Sequence, residues 1–229
     1  MAQPRYDLVY FNIRAFAEPI RMLLHHRGLA YRYWMPWDYF GKPWAEAKQD
    51  VAFGEVPVLV VDGGTMLWES AAIMRYLAHG TSLMPDDTIL RAVADACLDS
   101  TKRFVMPVDA VVNMRSGERF EREKTETLAA MPGMLAPFVR QLETSGGPFL
   151  TGGSPNYADL TFFHHLDLML LLDPGLCERF PPLGIFRSAI LELDGLAGYL
   201  ETRPVLTGVG VDPRIELNGV PTSTWEGRV

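Results

Sequence analysis

The sequence has no cluster of basic residues, and acidic residues are in excess. Among 229 residues, 21 Lys and Arg stand against 28 Asp and Glu, which gives a formal net charge of −7 at pH 7. Binding to nucleic acid needs a basic face that contacts the phosphates. The acidic balance therefore argues against a nucleic-acid partner.

Long apolar runs and cysteines are also scarce. The longest apolar run, from Leu166 to Leu172, contains Asp167 and is much shorter than the ~20 residues that span a bilayer. The first residues lack the apolar stretch of a secretory signal. Cys97 and Cys177 lie far apart, form no metal-ligand pattern and indicate free thiols in a reducing compartment. We therefore expect a cytoplasmic protein with no membrane span.

The first 80 residues alternate between strand and helix patterns. Strands are predicted at 6–11, 31–34, 56–61 and 65–68, helices at 17–27 and 70–79, and an aromatic-rich loop at 35–43. Pro57 favours the start of a strand, because proline cannot donate a hydrogen bond to a sheet ladder. This order predicts a small α/β domain with a mixed four-stranded sheet.

The remainder of the chain is helical in pattern after a linker predicted at 81–88. Helices are predicted at 89–106, at 118–144 with an interruption at 131–133, at 156–172 and at 186–201. Asn156 and Asp159 have the spacing of a capping box, and the very apolar helix that they open should be buried. Residues 207–229 are rich in Gly, Pro, Thr and Ser and are expected to be irregular, as either a lid or a frayed end.

Four motifs follow one another along the chain. They are Tyr10-Phe11 after the first strand, Phe53-Gly54-Glu55-Val56-Pro57, Glu69-Ser70-x-x-Ile73, and the Asn156-x-x-Asp159 box. Together they resemble the cytosolic glutathione S-transferase family. The segment 10–18 and Trp44-x-x-x-Lys48 are most similar to the tyrosine-type sigma class, which includes the haematopoietic prostaglandin D synthases. The resemblance implies a thioredoxin-like glutathione-binding domain at 1–80, an all-helical bundle domain at 89–206, and a homodimer.

The resemblance also implies roles for individual residues. Tyr10 would donate its hydroxyl proton to the sulfur of glutathione, because the thiolate is the nucleophile. Val56, if its bond to Pro57 is cis, would offer its backbone N–H and C=O to the cysteinyl part of the peptide as to an added strand, although cis is the minority form of such bonds. Ser70, at a helix N-terminus, would bind the γ-glutamyl carboxylate, and Glu69 would bind the α-ammonium group.

Two further residues and a second pocket are implied in the same way. Trp44 and Lys48 would hold the glycyl carboxylate of glutathione. By position in the family, the wall of the second-substrate pocket is formed by Phe11, Ile13, Phe16, Val105, Met106, Val108, Thr161 and His164. This wall is apolar and predicts a hydrophobic electrophile.

The adjacent histidines His164 and His165 need separate treatment. Neighbouring residues on a helix point about 100° apart, so only one of the two can face the pocket. Helical metal ligands favour an i, i+4 spacing, and we therefore expect no metal at this pair.

Two departures from the class limit the prediction. Phe16 stands where the prostaglandin synthases carry Arg, which argues against that isomerase activity. Lys102 and Arg103 replace acidic neighbours of Asp99, which removes the divalent-ion cluster of the class.

Two alternatives to conjugation stay open: a glutathione-dependent isomerase on the same scaffold, and a non-catalytic ligand-carrying or structural homologue.

Overall fold

A four-stranded mixed sheet organises the N-terminal part of the chain. The structure is a computed structural model that describes residues 5–105, 107–217 and 220–223. The strands are β1 (Tyr6–Val9), β2 (Tyr31–Trp34), β3 (Val58–Val61) and β4 (Thr65–Leu67), in the order β2-β1-β3-β4. Strand β2 is parallel to β1, whereas β3 is antiparallel to both β1 and β4. The predicted α/β part with a mixed sheet is confirmed.

The two faces of the sheet bury different sets of side chains. Leu8 and its partner Leu59 point into the main core of the molecule. Val9 and Val58 point the opposite way and pack in a second cluster with Trp44. Successive side chains of a strand alternate between faces, so a strand that is apolar throughout can supply both clusters.

Helices connect and cover these strands. They are α1 (Glu18–His26), α2 (Pro36–Phe40), α3 (Trp44–Ala47) and α4 (Ser70–Ala78). The loop predicted at 35–43 is thus partly wrong, because α2 lies within it. Proline is favourable at the first position of a helix, and Gly41, with φ 67°, ends the helix in the left-handed region.

Seven helices are described in the second part of the chain. They are α5 (Thr88–Val105), α6 (Pro107–Met114), α7 (Gly117–Ser145), α8 (Tyr157–Leu172), α9 (Leu176–Arg179), α10 (Pro181–Leu191) and α11 (Leu196–Thr202). Helix α8 begins with the predicted capping box of Asn156 and Asp159, and it is buried against α1, α5 and α6. The all-helical character of this part is confirmed, whereas the domain boundaries at 80 and 89 stay predictions.

Two helix predictions in this part are wrong. Helix α7 runs through Pro132 and Pro137 without the predicted interruption, because its apolar stripe is held against the core. The helix predicted at 186–201 is split into α10 and α11. The carbonyl of Asp194 accepts a hydrogen bond from His26 at 2.8 Å, and Gly195 at φ 72° lies against the His25 carbonyl, so contact with α1 forces the break.

The C-terminal segment is not irregular over its described residues. It forms an antiparallel sheet of β5 (Val205–Thr207), β6 (Arg214–Leu217) and β7 (Val220–Ser223). The sheet docks on the start of α7, where Gly117 N–H donates to the Gly210 carbonyl at 2.9 Å. Trp225, which the sequence placed in a lid or frayed end, lies outside the described residues.

Buried ions join α1 to the helices that follow α7. The Glu18 carboxylate accepts hydrogen bonds from Tyr199 at 3.0 Å and Arg203 at 3.1 Å, and lies 3.0 Å from Nε of Arg21. Arg203 also donates to Asp167 of α8 at 2.5 Å. Burial opposes the ionisation of Glu18, but Arg21 and Arg203 outweigh it and hold the pKa of its carboxyl below the ordinary value. These contacts fix the docking of α1 on α8 and α11.

Across the described residues, no helix is both long enough and apolar enough to cross a bilayer.

Replacing the buried carboxylate should destabilise the protein strongly. Glu18→Gln leaves Arg21 buried without its counter-charge and Arg203 with Asp167 alone, and we expect a loss of about 3–5 kcal/mol in the free energy of unfolding at pH 7. Because the pKa of Glu18 is lowered on folding, its contribution is present above about pH 4.3 and is lost as pH falls through the folded pKa. Urea denaturation at pH 7, and at a series of pH values falling below the ordinary pKa of glutamate, measures both effects.

The matched control is Asp212→Asn, which makes the same chemical change in an exposed pair with Arg214. We expect it to change stability by less than about 0.5 kcal/mol. Equal effects of the two substitutions would show that the buried network does not hold α1 in place.

Candidate functional site

Tyr10 lies directly after β1 and its side chain is buried. Its backbone N–H donates to the Trp34 carbonyl at 3.0 Å, which extends the contact between β1 and β2. Its hydroxyl oxygen accepts a hydrogen bond from the Phe16 amide at 3.3 Å. Burial raises the pKa of Tyr10 far above its ordinary value, and the nearby negative charge of Asp109 is the second cause of this shift. The phenol is therefore protonated at all working pH values and can act as a hydrogen-bond donor.

A cleft of about 320 Å³ opens beside β3 and the start of α4. Its walls are formed by Phe16, Ala52, Phe53, Glu55, Val56, Pro57, Trp68, Glu69, Ser70 and Lys102. We call it the main cleft. It brings together four of the predicted glutathione-binding residues: Val56, Pro57, Glu69 and Ser70.

Local backbone geometry places these four residues. The Val56–Pro57 peptide bond is cis, and Val56 lies two residues before β3, outside the sheet ladder. Glu69 adopts a positive φ of 62° immediately before α4, whose first residue is Ser70. The Glu69 carboxylate thus lies beside the N-terminus of α4. The carboxylate favours binding of a cation, and the helix N-terminus favours binding of an anion.

Trp44 and Lys48 do not reach the walls of the main cleft. Trp44 is buried on α3, with its ring edge-on to Phe11 at 5.8 Å between centroids. Lys48 is exposed, and its carbonyl accepts a hydrogen bond from the Val51 amide at 3.3 Å. Their roles in holding a peptide carboxylate stay predictions.

A smaller inner cavity adjoins the main cleft. Its walls are formed by Phe16, Pro19, Ser70, Ala71, Met74, Leu98, Lys102, Thr161 and His165. Phe16, Ser70 and Lys102 belong to both spaces. Of the predicted pocket residues, Phe16 and Thr161 line this cavity, and His165 lines it instead of the predicted His164.

The other predicted pocket residues lie further from these two spaces. Ile13, Val108 and His164 are buried in the core, and Phe11 is half-buried against Trp44. Met106 lies outside the described residues, and only the backbone of Val105 is described.

A buried charged cluster on α6 and α8 was not predicted from the sequence. His165 donates through Nδ1 to the Thr161 carbonyl at 2.8 Å, and its Nε2 lies 3.4 Å from Oδ2 of Asp109. Burial lowers the pKa of His165, but Asp109 outweighs burial and the net pKa is raised. His164 has Nε2 at 3.9 Å from Oδ1 of Asp109, and burial lowers its pKa well below the ordinary value.

These three side chains are the candidate ligands for a metal ion among the described residues. Their ligating atoms lie within 4.8 Å of one another, although His164 and His165 are adjacent on the helix. When its imidazole is protonated, His165 forms an ion pair with Asp109 across this 3.4 Å separation. The signals in the sequence are the adjacent histidines of α8 and one acid, Asp109, in the apolar run of α6.

Lys102 was also missed as a site residue. Its Nζ lies 3.6 Å from Oε2 of Glu69 and 5.8 Å from the centroid of the Phe16 ring. The residue is carried by α5, in the helical part of the chain, and reaches a cleft built mainly by the N-terminal part. Sequence spacing gives no indication of such an approach, because it depends on how α5 docks.

The chain matches two family models. Residues 13–79 match the N-terminal domain of glutathione S-transferases, and residues 107–203 match the C-terminal domain.

Similar proteins are found across nearly the whole chain. Glutathione S-transferase P 10 of Caenorhabditis elegans is 30% identical over 203 residues, which cover 89% of this chain and 93% of the relative. The hematopoietic prostaglandin D synthase of Gallus gallus is 29% identical, covering 88% of this chain and 98% of the relative. A solved Pi-class glutathione S-transferase of Onchocerca volvulus superposes with a TM-score of 0.76 at 29% identity, covering 90% of this chain and 99% of that chain.

These relatives carry the names of more than one class, so the sigma class stays a prediction. The family itself follows from the two domain models, the near-complete coverage and the fold. The chain belongs to the glutathione S-transferase family, whose enzymes use glutathione as co-substrate.

Proposed function

We propose that this glutathione transferase ionises the thiol of glutathione with the Tyr10 hydroxyl and adds the thiolate to a hydrophobic electrophile. The observation that carries the proposal is the buried Tyr10 directly after β1, whose hydroxyl contacts the amide of Phe16, a residue of the cleft wall. Its raised pKa suits a donor and not a base, because it keeps the proton on oxygen while the thiolate accepts a hydrogen bond. A hydrogen bond to the charged form of the thiol lowers the pKa of that thiol.

The energetics of this step are within the reach of one hydrogen bond. Lowering the pKa of a thiol from about 8.5 to about 6.5 needs roughly 2.7 kcal/mol of differential stabilisation. A hydrogen bond to a charged group supplies about 1.5–3 kcal/mol. Tyr10 alone therefore provides most of the required stabilisation.

The residues of the main cleft hold the peptide in our proposal. Val56, outside the ladder of β3, presents its backbone to the cysteinyl residue as an added strand would require. Ser70 at the start of α4 binds the γ-glutamyl carboxylate, and Glu69 binds the α-ammonium group. Trp44 and Lys48 bind the glycyl carboxylate, which requires the segment at 44–50 to turn toward the peptide.

The electrophile is proposed to occupy apolar surface beside Phe16. Phe16 and Thr161 line the inner cavity, and the half-buried Phe11 extends the apolar wall. Similarity to a prostaglandin D synthase keeps the isomerase alternative open. The Phe16 ring, which replaces the arginine of the prostaglandin synthases, favours conjugation over isomerisation in our proposal.

A homodimer in the cytoplasm completes the proposal. Dimerisation is typical of the family, and one exposed aromatic residue supports it here. Phe53 is 77% exposed at a positive φ of 69°, and its ring lies 6.4 Å from that of Trp68. A large apolar side chain held out of a cleft wall gains from being covered by a second copy.

Removing the Tyr10 hydroxyl should reduce activity in a pH-dependent way. We expect Tyr10→Phe to lower kcat/KM about 50- to 100-fold at pH 6, because the thiol pKa returns to about 8.5. The deficit should shrink above about pH 9, where glutathione ionises without help. A pH profile with an activated aryl chloride as electrophile measures both effects.

The matched control is Tyr76→Phe, which removes the hydroxyl of an exposed tyrosine of α4. It should leave the pH profile unchanged. A deficit of Tyr10→Phe that is the same at every pH would contradict the proposed role of its hydroxyl.

The dimer proposal predicts a change of assembly on substitution of Phe53. We expect the wild type to sediment as a dimer and Phe53→Ser to shift it toward the monomer, because the substitution removes the exposed apolar ring. Ile185→Ser, at a residue of α10 that is 62% exposed, serves as the control and should not alter the assembly. A monomeric wild type would refute the dimer, and a dimeric Phe53→Ser would refute the role of Phe53.

A further inference from the structure

Lys102 places a positive charge against the wall of the main cleft. Its side chain is only 24% exposed, although lysine is usually a solvated surface residue. Its Nζ lies 5.8 Å from the centroid of the Phe16 ring and 3.6 Å from the Glu69 carboxylate. Ser70, at the first position of α4, lines the same two spaces.

These charges have a definite pattern. One carboxylate, from Glu69, adjoins one ammonium group, from Lys102, and both border the free end of α4. An α-amino acid headgroup carries an ammonium and a carboxylate on a single carbon atom. The Glu69–Lys102 pair is therefore complementary to such a headgroup, with each protein charge facing the opposite charge of the ligand.

We propose that Lys102 binds the α-carboxylate of the γ-glutamyl residue of glutathione, together with Ser70, while Glu69 binds the α-ammonium group. This inference rests on the proposed function and adds a residue that the family motifs do not supply. Binding replaces one protein ion pair by two pairs with the ligand. The helical part of the same chain thereby contributes directly to recognition of the peptide.

The Glu69–Lys102 pair in the free protein keeps both groups in place before binding. Its Glu69 side chain is 56% exposed, so the pair can open at small cost in water. The ligand ammonium competes with Lys102 for Glu69, and the ligand carboxylate attracts the released Lys102. The two effects favour the same exchange.

The test compares three peptides on the full chain by isothermal titration calorimetry. The first is glutathione. The second is γ-aminobutyryl-cysteinyl-glycine, which lacks the α-carboxylate, and the third is glutaryl-cysteinyl-glycine, which lacks the α-amino group. The variants are Lys102→Gln, Lys102→Arg and Glu69→Gln. Lys124→Gln is the matched control, because Lys124 likewise lies over a phenylalanine ring, that of Phe120 at 5.4 Å, on a different helix.

A crossed pattern is expected. Lys102→Gln should weaken glutathione binding about tenfold or more and should not weaken binding of the peptide without the α-carboxylate. Glu69→Gln should weaken binding of that peptide and spare the one without the α-amino group. Lys102→Arg should keep most of the affinity, and Lys124→Gln should change nothing.

Other outcomes overturn the inference. Equal weakening of glutathione and the decarboxylated peptide by Lys102→Gln would show a purely structural role. If Lys102→Gln bound all three peptides as the wild type does, Lys102 would not contact the peptide. It would then either bind an anionic group of the second substrate or pair with Glu69 alone. Failure of the wild type to bind glutathione would instead refute the proposed function, so the two failures are distinguishable.

Discussion

The hydroxyl of Tyr10 must stay protonated next to the cleft wall, and it lies against the amide of Phe16, a residue of that wall. Pairing of β1 with β2 fixes the backbone at Tyr10, and the turn through Phe16 supplies an amide that contacts its oxygen. Burial and the nearby Asp109 together keep the proton on the phenol. A phenol that holds its proton this firmly is a poor base. Tyr10 is therefore suited to donate a hydrogen bond to the thiolate.

The second requirement is that helices from distant parts of the chain reach the same place. Glu18 of α1 is joined through Arg203 to Asp167 of α8, and α8 packs on α5, which carries Lys102. A cleft with walls from both parts of the chain needs such fixed docking. Buried charges that are fully paired are suited to it, because breaking one pair leaves the others uncompensated.

Local signals in the sequence predicted much of the fold and the best part of the site. Val56, Pro57, Glu69 and Ser70 were identified because each depends on a short motif, and the structure brings them to one cleft. The capping box of Asn156 was read in the same way. The C-terminal sheet was missed although Ile215 alternates with polar neighbours, because the prolines around it favour a loop reading.

Features that arise from the packing of one helix on another could not be predicted from the sequence. Lys102 and Asp109 lie on helices whose rotation and approach are set by packing, so neither spacing nor residue type points to them. The break before α11 has the same origin, since contact of Asp194 and Gly195 with α1 decides it. An uninterrupted α7 likewise shows tertiary packing overriding the local effect of Pro132.

The most direct test of the account is an ultraviolet titration of the thiolate of glutathione bound to the wild type and to Tyr10→Phe. The account predicts a bound thiol with an apparent pKa near 6.5 in the wild type and near 8.5 in the variant, as roughly 2.7 kcal/mol of stabilisation requires. Equal pKa values in the two proteins, with glutathione bound to both, would contradict the assignment of Tyr10 as the group that ionises the thiol.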